Sequence, residues 1–185
     1  MYVVSACLLG ANCKYNGGNN DNEAVKAYCE GHRVLAVCPE TEGGLSIPRS
    51  PAEQQKDGSV KDINGKDVTE EFCRGAERCL EKVMTLARQQ ADGGATDKKS
   101  VHESIDTETL HESADTGSVN ETSIPEDVPE LAILKARSPS CGSGKVYDGT
   151  FTGTLIDGDG CFAKLLKERG ISVITEEDLK DREDR

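Results

Sequence analysis

Eight cysteines are spread along 185 residues, at Cys7, Cys13, Cys29, Cys38, Cys73, Cys79, Cys141 and Cys161. No two of them form a Cys-x-x-Cys pair, so neither a zinc ribbon nor a thioredoxin-like dithiol is indicated. Three of them, Cys7, Cys38 and Cys141, stand at or just beyond the carboxyl end of an apolar run that reads as a strand. If those strands are neighbours, three thiolates from distant parts of the chain reach one crevice, because open α/β sheets bind ligands at that edge, where strand order reverses. Soft thiolates suit zinc, copper(I) or an iron–sulfur cluster. Zinc usually brings a histidine or a fourth cysteine, and His32 is the one histidine outside a long acidic segment. Three cysteines on a four-iron cluster leave one iron open, to act as a Lewis acid and sulfur acceptor if a proton-transfer group lies nearby. Cys13 is either a fourth ligand or a thiol beside the open iron, and spacing leaves both readings open.

The neighbours of these cysteines are unusual for a plain core. Cys38 and Ser138 each precede a proline, which holds them extended. Glu40 follows Cys38 by two residues and needs a reason to sit near a thiolate cluster, since a buried carboxylate is costly without a partner. Gly43-Gly44 beside it reads as a place where backbone approaches a ligand closely. Other templates fail: there is no Walker motif, nucleophile elbow or His-Glu-x-x-His, and Gly142-Ser143-Gly144 is not a dinucleotide fingerprint. Asp157-Gly158-Asp159-Gly160 lacks the rest of a calcium loop and reads as a turn.

The elements that must position these residues are legible as alternating patterns. Tyr2–Cys7, Arg33–Cys38, Leu131–Ala136 and Ile171–Ile174 read as buried strands. Helices are predicted over Asp21–Glu30, stopped by Gly31, and over Thr69 to about Ala87, with Thr69 as N-cap. Further helices cover Phe162–Glu168 and a short stretch after Thr175. Asp57-Gly58 and Asn64-Gly65 bracket Val60–Ile63 as a small hairpin. Cys73 and Cys79 lie on the long helix and read as small core residues. Strands alternating with helices imply an α/β fold with a mostly parallel sheet covered on both faces.

Composition sets limits. The net charge is -12, and residues 91–130 alone carry 11 acidic and 2 basic residues, so the rest of the chain is near neutral. That segment, about 91–129, has no periodicity and too little apolar surface to offset its ordering entropy, so it reads as a disordered insertion within a single domain. His102 and His111 fall inside it, as does the acceptor pattern Asn120-Glu121-Thr122. No apolar run approaches the roughly 18 residues of a membrane span. The start Met1-Tyr2-Val3-Val4-Ser5 lacks a charged leader. The expectation is a cytoplasmic protein with reduced thiols. A net acidic chain with no basic cluster is also a poor binder of nucleic acid on its own.

The same residues carry a family likeness. Ser5-Ala6-Cys7-Leu8-Leu9-Gly10, Cys13-Lys14-Tyr15-Asn16-Gly17, Val37-Cys38-Pro39-Glu40 and Gly43-Gly44-Leu45-Ser46-Ile47-Pro48-Arg49 with Pro51-Ala52-Glu53 form one colinear set. Gly65-Lys66-Asp67-Val68-Thr69, Leu134-Lys135-Ala136-Arg137-Ser138-Pro139-Ser140-Cys141-Gly142 and Tyr147-Asp148-Gly149-Thr150-Phe151 complete it. Together they resemble the thiouracil desulfidase family, across nearly everything but the acidic segment. The resemblance implies a Rossmann-like three-layer domain and a 4Fe-4S cluster held by Cys7, Cys38 and Cys141 with one iron free. It also implies Glu40 and Ser138 as proton-handling residues and thiolated uracils as substrates, with Cys13 and Ser140 at the pocket or just behind it. Two readings are set against this one: a closed four-thiolate metal module using Cys13, and a cluster-borne sulfur carrier that would need a partner.

Overall fold

The computed structural model describes residues 1–91 and 129–183. The expected disorder of the acidic segment, with His102, His111 and Asn120, therefore lies outside the described residues.

In chain order the elements are β1 (Tyr2–Ser5), a single 3-10 turn (Ala6–Leu9), α1 (Glu23–Cys29), β2 (Val34–Val37), α2 (Pro39–Glu42), β3 (Ala52–Gln54) and β4 (Val60–Asp62). Then come α3 (Thr69–Ala91), β5 (Leu131–Leu134), β6 (Lys145–Tyr147), β7 (Leu155–Asp157), α4 (Cys161–Glu168), β8 (Val173–Thr175) and α5 (Glu176–Glu183). Four strands form one parallel sheet in the order β2-β1-β5-β8. The chain steps from β1 to β2 on one side and returns to β5 on the other, so strand order reverses at β1.

Side chains on successive strand positions point to opposite faces, and both faces are covered. Val3, Ala132 and Leu134 pack with Ala76, Cys79 and Val83 of α3 and with Phe162 and Leu166 of α4. Tyr2, Val4 and Ile133 pack on the other side with Val25 and Cys29 of α1 and Leu179 of α5. The result is a three-layer, Rossmann-like α/β domain, and it explains why the strands read as unbroken apolar runs. Burying a strand valine such as Val4, fully covered here, stabilises by about 1.5–3 kcal/mol.

Several local readings change. Pro39 does more than end a strand: it opens α2, where its missing N–H is no loss at the first helical position. Gly43 serves helix packing rather than ligand approach. A Cβ on Gly43 would lie 2.0 Å from the Glu71 carbonyl oxygen, and one on Gly75 of α3 would lie 1.8 Å from that of Pro39. Two glycines thus let α2 press its backbone onto α3, which fixes Cys38 and Glu40 at the sheet edge. Cys73 is exposed, one step off the face that buries Phe72 and Ala76, whereas Cys79 is buried and its thiol is pushed up to about 12 by burial. Thr69 opens α3 without capping it in the expected way. Its hydroxyl accepts from Val60 N at 2.8 Å, while Asp67 Oδ1 accepts from Thr69 N at 2.9 Å.

The β3–β4 hairpin follows the turn signal at Asp57-Gly58. A second hairpin, β6–β7, occupies a stretch in which the sequence marked only the turn at Asp157–Gly160. At the start of α5, Asp178 Oδ2 accepts from both Thr175 N (2.7 Å) and Thr175 Oγ1 (2.9 Å), so the carboxylate of the first turn reaches back to the residue that precedes the helix.

Candidate active site

A cavity of about 460 Å³ opens at the carboxyl edge of β1, β2 and β5. It is lined by Cys7, Cys13, Cys38, Cys141, Glu40, Ser138 and Ser140, so every residue singled out from the sequence converges there. Cys7 is delivered by the 3-10 turn that closes β1, and Cys38 by the residue between β2 and α2. Cys141 comes from the loop after β5. The other four cysteines are absent from the lining: Cys29 and Cys79 are core residues, and Cys73 and Cys161 lie elsewhere.

The thiols are electrostatically coupled. Cys13 is placed to donate to both Cys7 and Cys38. That hydrogen bond holds the Cys7 thiol below its ordinary range, with help from Asn20, whose Nδ2 donates to Cys7 Sγ at 3.5 Å. It draws Cys38 down to about 6, assisted by Thr41. Cys13, as the donor to both, is pushed up, and burial pushes Cys141 up. The set is soft, and a metal that binds it must displace the thiol protons, since the thiolate and not the thiol is the ligand. Among the described residues, no three Cys, His, Asp or Glu side chains are grouped to hold a metal ion. A cluster makes a different demand, since each thiolate binds its own iron and the sulfurs need not converge on one point.

The carboxylate beside the thiols is fully engaged. Arg49 donates to Glu40 Oε2 through Nε at 2.8 Å and Nη2 at 2.5 Å, and the Arg49 side chain is only 8% exposed. Arg49 is itself fixed, donating from Nη2 to the Cys13 carbonyl oxygen at 2.9 Å and from Nη1 to that of Ser46 at 3.2 Å. Ser140 Oγ donates to Glu40 Oε1 at 3.0 Å. Ser138 Oγ lies 2.9 Å from Ser140 Oγ and accepts from the backbone N–H of Ser140 and Cys141, at 3.2 and 3.3 Å. With the Ser140 proton on Glu40, the Ser138 hydroxyl donates to Ser140. The result is a hydrogen-bonded line from Ser138 through Ser140 to Glu40 and Arg49.

The loop that carries Ser138, Ser140 and Cys141 is gripped from two sides. Gln54 Nε2 of β3 donates to the carbonyl oxygens of Pro139 and Asp159, both at 3.0 Å. At the start of α4, Cys161 N and Phe162 N donate to Pro139 O and Ser140 O, at 3.0 and 2.8 Å. A side chain at Gly160 would collide with the Ser140 backbone, its Cβ 2.5 Å from the carbonyl carbon. Upstream, Arg137 sits at φ 63°, a left-handed conformation that is strained for a non-glycine residue. Lys135 is tied by an ion pair to Glu176, whose Oε2 also accepts from Ala136 N at 2.7 Å.

Arg49, Asn20, Gln54 and Lys135 were not assigned roles from sequence. Only Arg49 had a usable signal, because Glu40 required a cation and Pro48-Arg49 closes the next motif.

A family model described as 2-thiouracil desulfurase matches residues 2–100 and 84–178. The chain belongs to the 2-thiouracil desulfurase family. Those two desulfurase matches take in all four cavity cysteines as well as Glu40, Ser138 and Ser140. The chain is 34% identical over 190 residues to YbbK, an uncharacterized protein of Bacillus subtilis (strain 168), covering 98% of this chain and 99% of YbbK. Among solved structures, the [4Fe-4S]-dependent thiouracil desulfidase TudS is similar with a TM-score of 0.66 and 35% identity, over 97% of this chain and 93% of TudS. The desulfurase family likeness therefore runs through sheet, helices and cavity alike.

Proposed function

We propose that this chain is an iron–sulfur-dependent desulfidase that converts a thiolated uracil, as free base or nucleoside, into uracil and sulfide. The observation that carries this reading is the convergence of Cys7, Cys38 and Cys141 with the Glu40–Ser140–Ser138 line in one cavity. Its chemical identity is supported by the 35% identity to TudS over 97% of the chain. The residues fit a 4Fe-4S group: Cys7, Cys38 and Cys141 would hold it, and Cys13 donates to two of the three thiols without completing a single-ion site. When bound through three cysteines, such a cluster supplies an electrophilic iron that polarises a thiocarbonyl.

The chain's own groups supply the rest. Glu40 takes a proton from a water molecule aimed at the thiolated ring carbon, acting as general base. Arg49 keeps the carboxylate compensated and oriented through two hydrogen bonds, so that the oxygen shared with Ser140 faces the cavity chemistry. Ser140 and Ser138 carry the abstracted proton toward the departing sulfur. The overall change is thiocarbonyl plus water to carbonyl plus hydrogen sulfide, with no net transfer of electrons.

Around this centre the protein is a single α/β domain interrupted by the acidic insertion, working in the cytoplasm on a small molecule rather than on nucleic acid. Among the described residues no helix is long and apolar enough to cross a membrane.

Turnover in water enriched in oxygen-18 tests the hydrolytic step. The uracil formed is expected to carry one labelled oxygen at the carbon that bore sulfur. Unlabelled uracil would contradict Glu40-activated water as the attacking group.

A further inference from the structure

Glu53 lines the same cavity as Cys7, Cys38, Cys141 and Glu40, yet the chemistry above leaves it without work. Its residue is 8% exposed, and it takes part in no ion pair among the described residues. One carboxylate oxygen, Oε2, accepts from Gly149 N at 3.1 Å and from Phe151 N at 2.9 Å. The converging N–H groups come from a loop wound through left-handed positions, Gly149 at φ 86° and Phe151 at φ 57°. The other oxygen, Oε1, accepts no hydrogen bond among the described residues. Among the described residues no buried side-chain oxygen lacks a partner, so Oε1 is not sealed in: it reaches accessible surface on a residue that lines the cavity and is free to accept from a ligand there.

We propose that Glu53 is a specificity-determining residue whose Oε1 accepts the N3–H of the thiolated uracil ring. This rests on the desulfidase reading and names the ring contact that reading lacks. N3 lies between C2 and C4, so it neighbours the thiolated carbon in both 2- and 4-thiouracil. It also keeps its hydrogen in nucleosides, where N1 is substituted. One acceptor therefore serves base and nucleoside, and selects the neutral ring with its N–H intact. A carboxylate built to receive an N–H rejects a ring that cannot offer one.

The test uses the cluster-loaded full chain and calorimetric binding of uracil and 3-methyluracil, with turnover of thiouracil followed separately. Wild type is expected to bind uracil about 10- to 100-fold more tightly than 3-methyluracil, the range for a hydrogen bond to a charged group. Glu53→Gln keeps an oxygen for Gly149 and Phe151 but turns a donor toward the ring. It is expected to hold its melting temperature and lose most of that discrimination by weakening uracil binding. Equal binding of the two ligands by wild type overturns the proposal, whether or not the variant folds. So does undiminished discrimination in a folded Glu53→Gln. If wild type turns over thiouracil in either of those cases, the desulfidase reading survives and only the Glu53 assignment falls. Glu53-dependent discrimination without turnover of any thiolated uracil would uphold the ring contact and sink the desulfidase reading.

Discussion

Glu40→Gln is expected to retain its cluster and lose about 100- to 10,000-fold in kcat, the range for removing a general base. The substitution keeps the shape of the side chain. Its amide oxygen can still accept from Arg49, which also retains its bonds to the carbonyls of Cys13 and Ser46. The fold should therefore hold, even though removing one partner of a buried ion pair costs about 3–5 kcal/mol when the other charge is left stranded. What the amide cannot do is take a proton from water at neutral pH. The check is single-turnover kinetics beside visible absorbance and iron content. A variant with full iron and wild-type kcat would remove Glu40 from the mechanism.

The second large effect concerns the thiols. Serine at Cys7, Cys38 or Cys141 is expected to abolish the visible cluster absorbance and all turnover, because a hydroxyl does not replace a thiolate on iron. Cys13→Ser is expected to keep the cluster. The family likeness places Cys7, Cys38 and Cys141 on the cluster and leaves Cys13 beside them in the cavity wall. A serine hydroxyl can still donate, and activity should fall only modestly. Loss of iron in Cys13→Ser would instead establish a closed four-thiolate site, the arrangement of a metal module without an open position. Iron analysis and absorbance of the four variants, loaded in parallel without oxygen, distinguish the two.

Much of the fold was legible because its signals are local. The runs at Val3–Val4 and Leu131–Leu134 are apolar at every step, as a central strand buried on both faces requires, and Val34–Val37 reads the same although β2 is an edge strand that buries only Val37 fully. Cys7 and Cys38 follow such runs directly, and a turn or a proline marks where each ends. Cys141 stands a few residues beyond its run, so strand-end logic names it and the likeness of Ser138–Gly142 to its family motif adds the ligand role, which no spacing rule reaches.

What the sequence hid was set by distant partners. Gly43 and Gly75 are separated by a hairpin and the first turns of α3, and only the close backbone approach at each shows that both exist for α2 against α3. Arg49 lies nine residues from Glu40 in a loop that gives no hint of which way its side chain turns. Gln54 reaches Pro139 across 85 positions. Cys73 was misread because one residue along a helix rotates a side chain by about 100°, enough to carry it from the face of Phe72 to solvent. The β6–β7 hairpin escaped because Leu155 and Ile156 are exposed and supply no buried alternation.

The most direct test of a cluster-dependent desulfidase is turnover by protein purified and loaded with iron and sulfide in the absence of oxygen. Incubation with 4-thiouracil, and with 2-thiouracil in parallel, is followed by loss of the thiocarbonyl absorbance together with released sulfide. One sulfide per uracil formed, with activity that vanishes when the cluster is stripped and returns on reloading, is the expected result. A colourless protein holding zinc, or a fully loaded cluster that leaves every thiolated uracil base and nucleoside untouched, would contradict it.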